Sequence, residues 1–177
     1  GLKLHLDGAR IFNALVSTGE RPFDWGKMFD TISVCLSKGL GCPVGSVLLG
    51  SQADIKRARK IRKALGGGMR QAGMLAAAGI YALDNNVFRL EDDHERAKAI
   101  AAILQQTPFV REILPVSTNI VIARLEHISP ESFLEELTER NIWAVKFGKD
   151  QIRMVTHMDF TDQHLEAFES RLKLWKK

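Results

Sequence analysis

Short apolar runs alternate with helical stretches along this chain, and that order constrains its fold more than any other feature. Residues 32–36 form a compact apolar run that ends in a glycine-rich loop, which is typical of a buried strand. Residues 2–6 alternate apolar and polar side chains, as in a half-buried strand, and residues 44–49 form a third strand-like run. Helical patterns occupy residues 11–16, 53–65, 71–83 and 90–105. This alternation favours an α/β fold.

The elements become shorter beyond Thr107. Pro130 stands at the first position of a predicted helix, and Ser129 is its predicted N-cap. The predicted elements of this part are a strand at 119–125, a helix at 130–140, hairpin strands at 145–147 and 151–156, and a helix at 161–175. We therefore predict two domains, with residues 1–106 in the larger one and residues 107–177 in a small C-terminal α+β domain.

Composition excludes several classes of protein. Of the 177 residues, 45% are apolar and 26% are charged, with 25 basic against 21 acidic residues, which is the balance of a globular protein. No apolar run reaches the roughly 20 residues that a membrane-spanning helix needs. Cys35 and Cys42 form neither a disulfide framework nor a zinc-binding spacing, so we expect a reducing, cytoplasmic location. Because the chain begins at Gly1 within a strand-like pattern, we expect an N-terminal part to be missing.

Two charged residues are expected near strand ends. Asp7 follows the strand at 2–6, and Lys38 follows the strand at 32–36. Binding sites in open α/β sheets lie outside the carboxyl ends of the strands, so this carboxylate and this amine can meet there. A desolvated lysine can act as a Schiff-base nucleophile. A surface ion pair is the alternative, and the spacing alone does not decide between the two.

The loop at 39–45 is rich in glycine but matches neither common nucleotide-binding pattern. Its third glycine is one residue late for the dinucleotide fingerprint, and no predicted helix follows it. Lys38 precedes the glycines, whereas the lysine of a phosphate-binding P-loop closes them. The sequence therefore disfavours nucleotide binding.

Six basic residues lie within residues 56–63 and account for the net positive charge of the chain. Such a segment is either a nucleic-acid-binding patch or a solvated helix face, and the lack of interleaved aromatic residues favours the latter. Residues 66–71 form a glycine-rich turn with Arg70, which is either an anion site or a hinge. Arg153 lies in a predicted strand, where it either binds a carboxylate as a bidentate fork or is simply exposed. The sequence contains no metal-binding motif.

Four motifs, in order along nearly the whole chain, resemble those of threonine aldolases. They are the Asp-Gly-Ala-Arg segment at 7–10, the lysine segment at 33–46, the basic and glycine-rich segment at 62–71, and the Arg-Met-Val-Thr-His segment at 153–157. The resemblance implies membership of the pyridoxal-phosphate (PLP) aldolases and β-eliminating lyases, which have the aspartate aminotransferase-like fold. Residues 1–106 are then part of a PLP-binding large domain with a mostly parallel sheet.

The resemblance also implies a role for each residue at the motif positions. Lys38 is implied as the catalytic lysine that binds PLP covalently, and Asp7 as the partner of the pyridine nitrogen. Arg10 and Arg153 are implied to bind the carboxylate of the substrate. The looser assignments are Ser37 and Arg70 to the cofactor, and Lys63 to the substrate or a subunit interface.

The implied reaction is PLP-dependent aldol cleavage of threonine, allo-threonine or a related β-hydroxy amino acid into glycine and an aldehyde. The alternatives are a PLP-dependent β-eliminating lyase acting on another amino acid, and a non-catalytic fragment that binds a partner through its basic segment. Members of the family have roughly twice this length, so the N-terminal half of the enzyme is expected as a partner. The resemblance further implies a homodimer or homotetramer, and neither nucleic acid nor a membrane is expected as a partner.

Overall fold

Two separate clusters of buried apolar side chains divide the chain into two units. The computed structural model describes residues 1–173 and 175. Unit 1 comprises Gly1–Leu90, and unit 2 begins at Glu91. The division falls at the start of a long helix, whereas the predicted domain boundary after residue 106 lies at the other end of the same helix. The assignment of residues to domains therefore stays a prediction.

Unit 1 is built on a mixed sheet of three strands. Its elements are β1 (His5–Gly8), α1 (Ile11–Thr18), α2 (Pro22–Gly26), β2 (Thr31–Cys35), β3 (Ser46–Gly50), α3 (Gln52–Ala64) and α4 (Gly73–Asn85). The strand order is β1-β2-β3, with β1 and β2 parallel and β2 and β3 antiparallel. Within the described chain the sheet is therefore mixed rather than mostly parallel.

The sequence predicts every element of unit 1 except α2, with bounds that differ by at most three residues. The sequence of α2 predicts a loop because it contains Pro22 and Gly26, and both residue types are common in loops. Pro22 instead occupies the first position of the helix. Backbone N–H groups in the first turn have no intrahelical acceptor, so a proline there costs no hydrogen bond.

The core of unit 1 lies under one face of β2. Ile32, Val34 and Leu36 are buried and alternate with half-buried residues, which is the two-residue period of a strand. The other buried members of this cluster are Leu40, Cys42, Ala82 and Leu90. Half-buried apolar residues of α1 pack against it. The core therefore fixes both β2 and the loop that follows it, where Lys38 lies.

Several apolar side chains of unit 1 are left uncovered by the described chain. β3 is exposed at every residue, including Leu48 and Leu49. α4 has no charged residue before Asp84, and its Met74 and Tyr81 side chains are 87% and 64% exposed. A helix that is apolar on all sides is typical of the interior of a larger protein. None of the described helices, α4 included, is long and apolar enough to cross a membrane. We call β3 and α4 together the open apolar surface.

Gly8 is a point of close approach between β1 and β2. A Cβ atom on Gly8 would lie 2.6 Å from the backbone oxygen of Ser33, closer than Cβ atoms come to other atoms. We expect Gly8→Ala to force the strands apart and to lower the free energy of unfolding of unit 1 by about 1–3 kcal/mol. Gly73→Ala is the control, since a Cβ there meets nothing within 4 Å. Equal urea midpoints for the two variants would contradict this expectation.

Unit 2 is built on an antiparallel sheet of four strands. Its elements are α5 (Leu90–Gln105), β4 (Val110–Ile113), β5 (Ile120–Leu125), α6 (Pro130–Glu139), β6 (Val145–Phe147), β7 (Gln151–Val155) and α7 (Asp162–Lys173). The strand order is β4-β5-β7-β6, and each neighbouring pair is antiparallel.

Most elements of unit 2 confirm the predictions. α5 has the predicted bounds, and the Ser129 side chain accepts a hydrogen bond from Ser132 N as the predicted N-cap of α6. β4 is not predicted, because exposed Arg111 and Glu112 are adjacent and its register shifts between Val110 and Glu112, so no regular alternation remains. The predicted extension of α7 to 175 includes residue 174, which lies outside the described residues.

β5 and β7 bury alternate residues on one face of the sheet. Val121, Ala123 and Leu125 of β5 are buried, as are Ile152 and Met154 of β7. The buried helical residues that join this core are Ala97, Ile100, Leu104, Phe133, Leu137, Phe168 and Leu172. The helices α5, α6 and α7 therefore share a core with this face of the sheet.

A buried polar cluster holds the end of β7 against α5. Asn119 Nδ2 donates to the Thr156 carbonyl oxygen at 2.7 Å, and Thr156 N donates back to the Asn119 carbonyl oxygen at 3.0 Å. Thr156 Oγ1 donates to the backbone oxygen of Asp93 at 2.6 Å. These residues are at most 2% exposed, so these hydrogen bonds replace contacts with water that burial removes, whereas the buried Asn119 Oδ1 has no hydrogen-bond partner among the described residues. The cluster thus fixes the strand that carries Arg153.

His94 gives unit 2 a dependence on pH. The residue is buried in α5, and burial is the main cause that lowers the pKa of its imidazole below the ordinary value of 6.5. The unfolded chain therefore binds a proton at a higher pH than the folded chain, so the stability is full above about pH 6.5 and falls as the pH drops through the folded pKa. We expect the urea midpoint of unit 2 to decrease in this acidic range, and His94→Gln to flatten the decrease. His127→Gln, at an exposed position, should leave the slope unchanged, and equal slopes for the two variants would count against this role of His94.

Candidate active site

The carboxyl ends of β1 and β2 lie side by side because these strands are parallel. Asp7 pairs in register with Ser33. The sequence predicts Asp7 just past a strand end, but it lies within β1, one residue before its last. Arg10 lies two residues after β1, and Ser37 and Lys38 lie two and three residues after β2. This edge therefore gathers a carboxylate, a guanidinium, a hydroxyl and an amine, in the region where α/β sheets bind ligands.

Hydrogen bonds hold the loop that carries Lys38. Gly41 N donates to the Lys38 carbonyl oxygen at 2.9 Å and closes a turn. Gly41 has a φ of 73°, which a residue with a Cβ rarely adopts. In the same loop, the Leu40 carbonyl oxygen accepts a hydrogen bond from Asn86 Nδ2 at 2.8 Å. The lysine side chain therefore starts from a fixed backbone position.

Gly39 lets this loop approach the core closely. A Cβ atom on Gly39 would lie 2.9 Å from Leu90 Cδ2 and 3.2 Å from Asn13 Oδ1. Gly39 is buried, whereas Ser37 and Lys38 are exposed. The Lys38 amine makes no hydrogen bond with any residue that the structure describes, so it is accessible to a ligand.

Groups at the same edge of the sheet shift the pKa of the Cys35 thiol. Burial by itself raises the pKa of this thiol, but hydrogen bonds from Ser37 and Ser46 and the positive charge of Lys38 oppose it, and the pKa is lowered overall. Cys35 Sγ lies 3.6 Å from Ser37 Oγ. Groups that favour a thiolate also suit another anion, such as a phosphate.

We expect Cys35 to react with iodoacetamide faster than Cys42 at neutral pH, because the thiolate is the reactive form. Burial raises the pKa of the Cys42 thiol, and the neighbouring Cys35 charge adds to that effect. The alkylation rate of Cys35 should therefore rise at a lower pH than that of Cys42, as followed by peptide mass spectrometry. Ser37→Ala should slow Cys35 selectively. Equal rates at the two cysteines would show that this electrostatic account is wrong.

Asp7 and Arg10 flank the turn after β1. Asp7 Oδ1 accepts a hydrogen bond from Ala9 N at 3.1 Å, which fixes the carboxylate close to the backbone. The Asp7 side chain is otherwise exposed, so the other oxygen can accept from a ligand. Arg10 occupies the N-cap of α1 and is half-buried. The backbone positions from which both charged side chains extend are therefore fixed at this edge.

The predicted basic segment lies along α3, where none of its residues is buried. Lys63 lies in the last turn of the helix. Gly67 N donates to the Arg62 carbonyl oxygen at 2.8 Å and closes the C-terminal end of α3, and Arg70 follows in an exposed loop. Within the described chain, neither Lys63 nor Arg70 makes a hydrogen bond or ion pair with the residues at the edge of β1 and β2.

Arg153 lies in unit 2, on β7, opposite Ile122 of β5 and Val145 of β6. Its Nε atom is buried and has no hydrogen-bond partner among the described residues. A buried donor without a partner costs free energy, so native structures rarely keep one unless a ligand or water satisfies it. A carboxylate is a suitable acceptor for this guanidinium.

The structure thus brings four of the seven predicted site residues to one edge of the unit 1 sheet. The four are Asp7, Arg10, Ser37 and Lys38, and the other three are Lys63, Arg70 and Arg153. The sequence motifs predict no site role for Cys35 or Gly39. The alternation of β2 places Cys35 on the face opposite to the core residues, and that pattern is the signal that was available for it.

Comparison with known proteins identifies the family. The family model for beta-eliminating lyases matches residues 1–127. The chain belongs to the beta-eliminating lyase family. This membership confirms the family resemblance of the four motifs.

Two curated relatives of this chain are named as threonine aldolases. The chain is 42% identical over 165 residues to low-specificity L-threonine aldolase 1 of Arabidopsis thaliana, and 43% identical over 164 residues to the low specificity L-threonine aldolase of Escherichia coli. The alignments cover 91% and 93% of this chain but 46% and 48% of those proteins. The chain therefore spans about half the length of the curated relatives it matches.

A solved structure confirms the α/β fold. A putative aromatic amino acid beta-eliminating lyase/threonine aldolase from Exiguobacterium matches with a TM-score of 0.79 and 22% sequence identity. The match covers 99% of this chain and 53% of that chain. The chain thus has the fold of one part of that larger structure.

Proposed function

We propose that this chain is part of a PLP-dependent aldolase that cleaves threonine, allo-threonine or a related β-hydroxy amino acid into glycine and an aldehyde. The observation that carries the proposal is the exposed Lys38 amine at the sheet edge that also holds Asp7. The names of the relatives from Arabidopsis thaliana and Escherichia coli support the choice of threonine as substrate.

The residues at this edge suit PLP. When bound, PLP acts as an electron sink that stabilises negative charge at the Cα atom of an amino acid. Lys38 offers the amine for covalent attachment, and Asp7 offers a carboxylate to keep the pyridine nitrogen protonated. Ser37 offers a hydroxyl to the phosphate, and Arg70 is a further proposed phosphate contact.

Arg10 and Arg153 are the proposed ligands of the substrate carboxylate. The buried Nε atom of Arg153 gains an acceptor when a carboxylate binds, so binding removes an unsatisfied donor. A carboxylate fixed in this way orients the Cα–Cβ bond that breaks. Lys38 would donate the proton that Cα gains after the Cα–Cβ bond breaks, and the β-hydroxyl would give up its own proton to a base as the aldehyde forms. Lys63 is proposed as a further positive charge near the substrate.

We further propose that the remaining half of the enzyme is a partner of this chain. The chain spans about half the length of its relatives, and the open apolar surface of β3 and α4 needs a cover. The assembled enzyme is proposed to be a homodimer or homotetramer, and its cytoplasmic location stays a prediction from the sequence.

A PLP-dependent β-elimination on another amino acid is the second candidate, because the matching family model is that of beta-eliminating lyases. The two reactions differ in their products. Aldol cleavage yields glycine and an aldehyde, whereas β-elimination yields ammonia and a keto acid. Product analysis therefore separates the candidates without any structural assumption.

The test of the proposed function is carried out on the assembled protein isolated from its source. PLP is added, the protein is reduced with borohydride, and its peptides are mapped by mass. We expect a pyridoxyl group on Lys38, and glycine with acetaldehyde in equal amounts from threonine. Ammonia and a keto acid would favour the second candidate. An assembled protein with no pyridoxyl peptide would overturn both.

A further inference from the structure

A groove in unit 2 has none of the residues assigned so far in its lining. It encloses about 340 Å³ between α7, the end of β7 and the segment before β6. Its buried walls are apolar and include Ile100, Met154 and Phe168, which are at most 8% exposed. This volume is in the range of small-molecule sites.

Three side chains that line this groove, those of His157, His164 and Arg171, can donate hydrogen bonds. His157 Nδ1 accepts from Asp159 N at 3.3 Å, and His164 Nδ1 accepts from Thr161 N at 3.1 Å. A neutral imidazole that accepts at Nδ1 carries its proton on Nε2, so each ring offers an N–H donor there. The groove therefore has two imidazole donors that the backbone sets in one tautomer.

Arg171 adds a fixed positive charge to the lining. One guanidinium nitrogen, Nη1, donates to the Asn141 carbonyl oxygen at 2.7 Å, which anchors the side chain. The other guanidinium N–H groups make no hydrogen bond with the described chain. They are therefore available to a ligand, and a carboxylate matches their geometry.

The described lining of the groove contains no aspartate or glutamate. The carboxylate of Asp159 is not part of the lining and lies 3.6 Å from His157 Nδ1. Trp143 lines the groove with a side chain that is 74% exposed, so a ring face is available at its mouth. The charge and the shape of the lining both suit an anion with a flat apolar body.

We propose that this groove binds a small aromatic carboxylate. The carboxylate accepts from Arg171 and from the imidazole donors, while the ring lies between Trp143 and the apolar wall. None of the lining residues of this groove is assigned to the cofactor or the substrate.

The test uses phenylacetate as the probe and phenylacetamide as its neutral counterpart of the same shape. Binding to the full chain is measured by saturation-transfer NMR and by titration of Trp143 fluorescence, with Trp143→Phe to identify the signal. We expect phenylacetate to saturate with a Kd of about 1 mM or tighter. Phenylacetamide should bind about tenfold more weakly, because it lacks the charge.

Matched variants locate the site. Arg171→Gln should weaken phenylacetate about tenfold, whereas Lys149→Gln, which removes an exposed charge on the turn between β6 and β7, should not. Ala167→Leu fills the groove without touching the charge and should block binding, whereas Ala102→Leu, outside the groove, should not. Thermal melting of each variant shows whether it is folded.

The results separate this proposal from the proposed function. Lys38→Ala should bind phenylacetate as the wild type does, so failure of PLP chemistry leaves the groove intact. Equal binding of phenylacetate and phenylacetamide would overturn the proposal. So would equal loss in Arg171→Gln and Lys149→Gln, or no saturable binding of phenylacetate at ten times the expected Kd.

Discussion

Lys38→Ala is expected to abolish the pyridoxyl peptide and to slow threonine cleavage by the assembled enzyme by about a thousandfold or more. Alanine has no amine to attach the cofactor, and no group at this position then supplies the proton that Cα gains. The substitution should leave the fold intact, because the Lys38 side chain is exposed and makes no hydrogen bond with the described chain. Its effect on the free energy of unfolding should therefore stay within about 0.5 kcal/mol.

Lys60→Ala is the matched control, since Lys60 is an exposed lysine of the same unit on α3. It should keep both the pyridoxyl peptide and the activity. If Lys38→Ala retained a pyridoxyl group on another lysine together with wild-type activity, the assignment of the catalytic lysine would be wrong. Loss of activity in both variants would point instead to a general effect of positive charge.

Phe133→Ala is expected to lower the free energy of unfolding of unit 2 by about 3–5 kcal/mol. Phe133 is fully buried in α6, and its ring lies 5.0 Å from that of Trp175, centroid to centroid. Truncation to alanine removes most of the buried apolar side chain and leaves a cavity in the core shared by the sheet and its helices. Urea unfolding followed by tryptophan fluorescence, with hydrogen exchange of the β5 amides as a local probe, measures the loss.

The control for this cavity is Phe147→Ala on β6, where the phenylalanine is 40% exposed. Truncation of a partly exposed ring removes less buried apolar area, so we expect the free energy of unfolding to fall by less than about 1 kcal/mol. If the two variants unfolded at the same urea concentration, the core of unit 2 would not depend on Phe133 as the structure indicates.

The regular elements were predictable because their side chains follow one period. β5 alternates half-buried and buried residues without interruption, and α5 has helical spacing throughout. The start of β1 was misplaced because Leu2 and Leu4 continue the alternation of the strand although they are 95% and 53% exposed. The pattern of apolar residues indicates which side chains favour burial, but within the described chain Leu2 is almost uncovered and Leu4 is only partly covered.

Those parts of the site that depend only on the order of strands and loops along the chain were predictable. Lys38 follows a buried strand, and its position at the sheet edge follows from that alone. The buried Nε atom of Arg153 was not predictable, because the burial of one atom depends on how neighbouring strands pack around it. Gly39 raises the same difficulty, since its closeness to Asn13 depends on a contact between distant segments.

The open apolar surface has a practical consequence for anyone who makes this chain by itself. Exposed apolar residues on β3 and α4 are the kind of surface that chaperones bind and that drives aggregation in a concentrated sample. The exposed residues of β3 also lie in a strand at the edge of the described sheet, where backbone groups can pair with another molecule. Expression at low temperature, dilute handling and early addition of the proposed partner half are therefore the conditions that suit this protein.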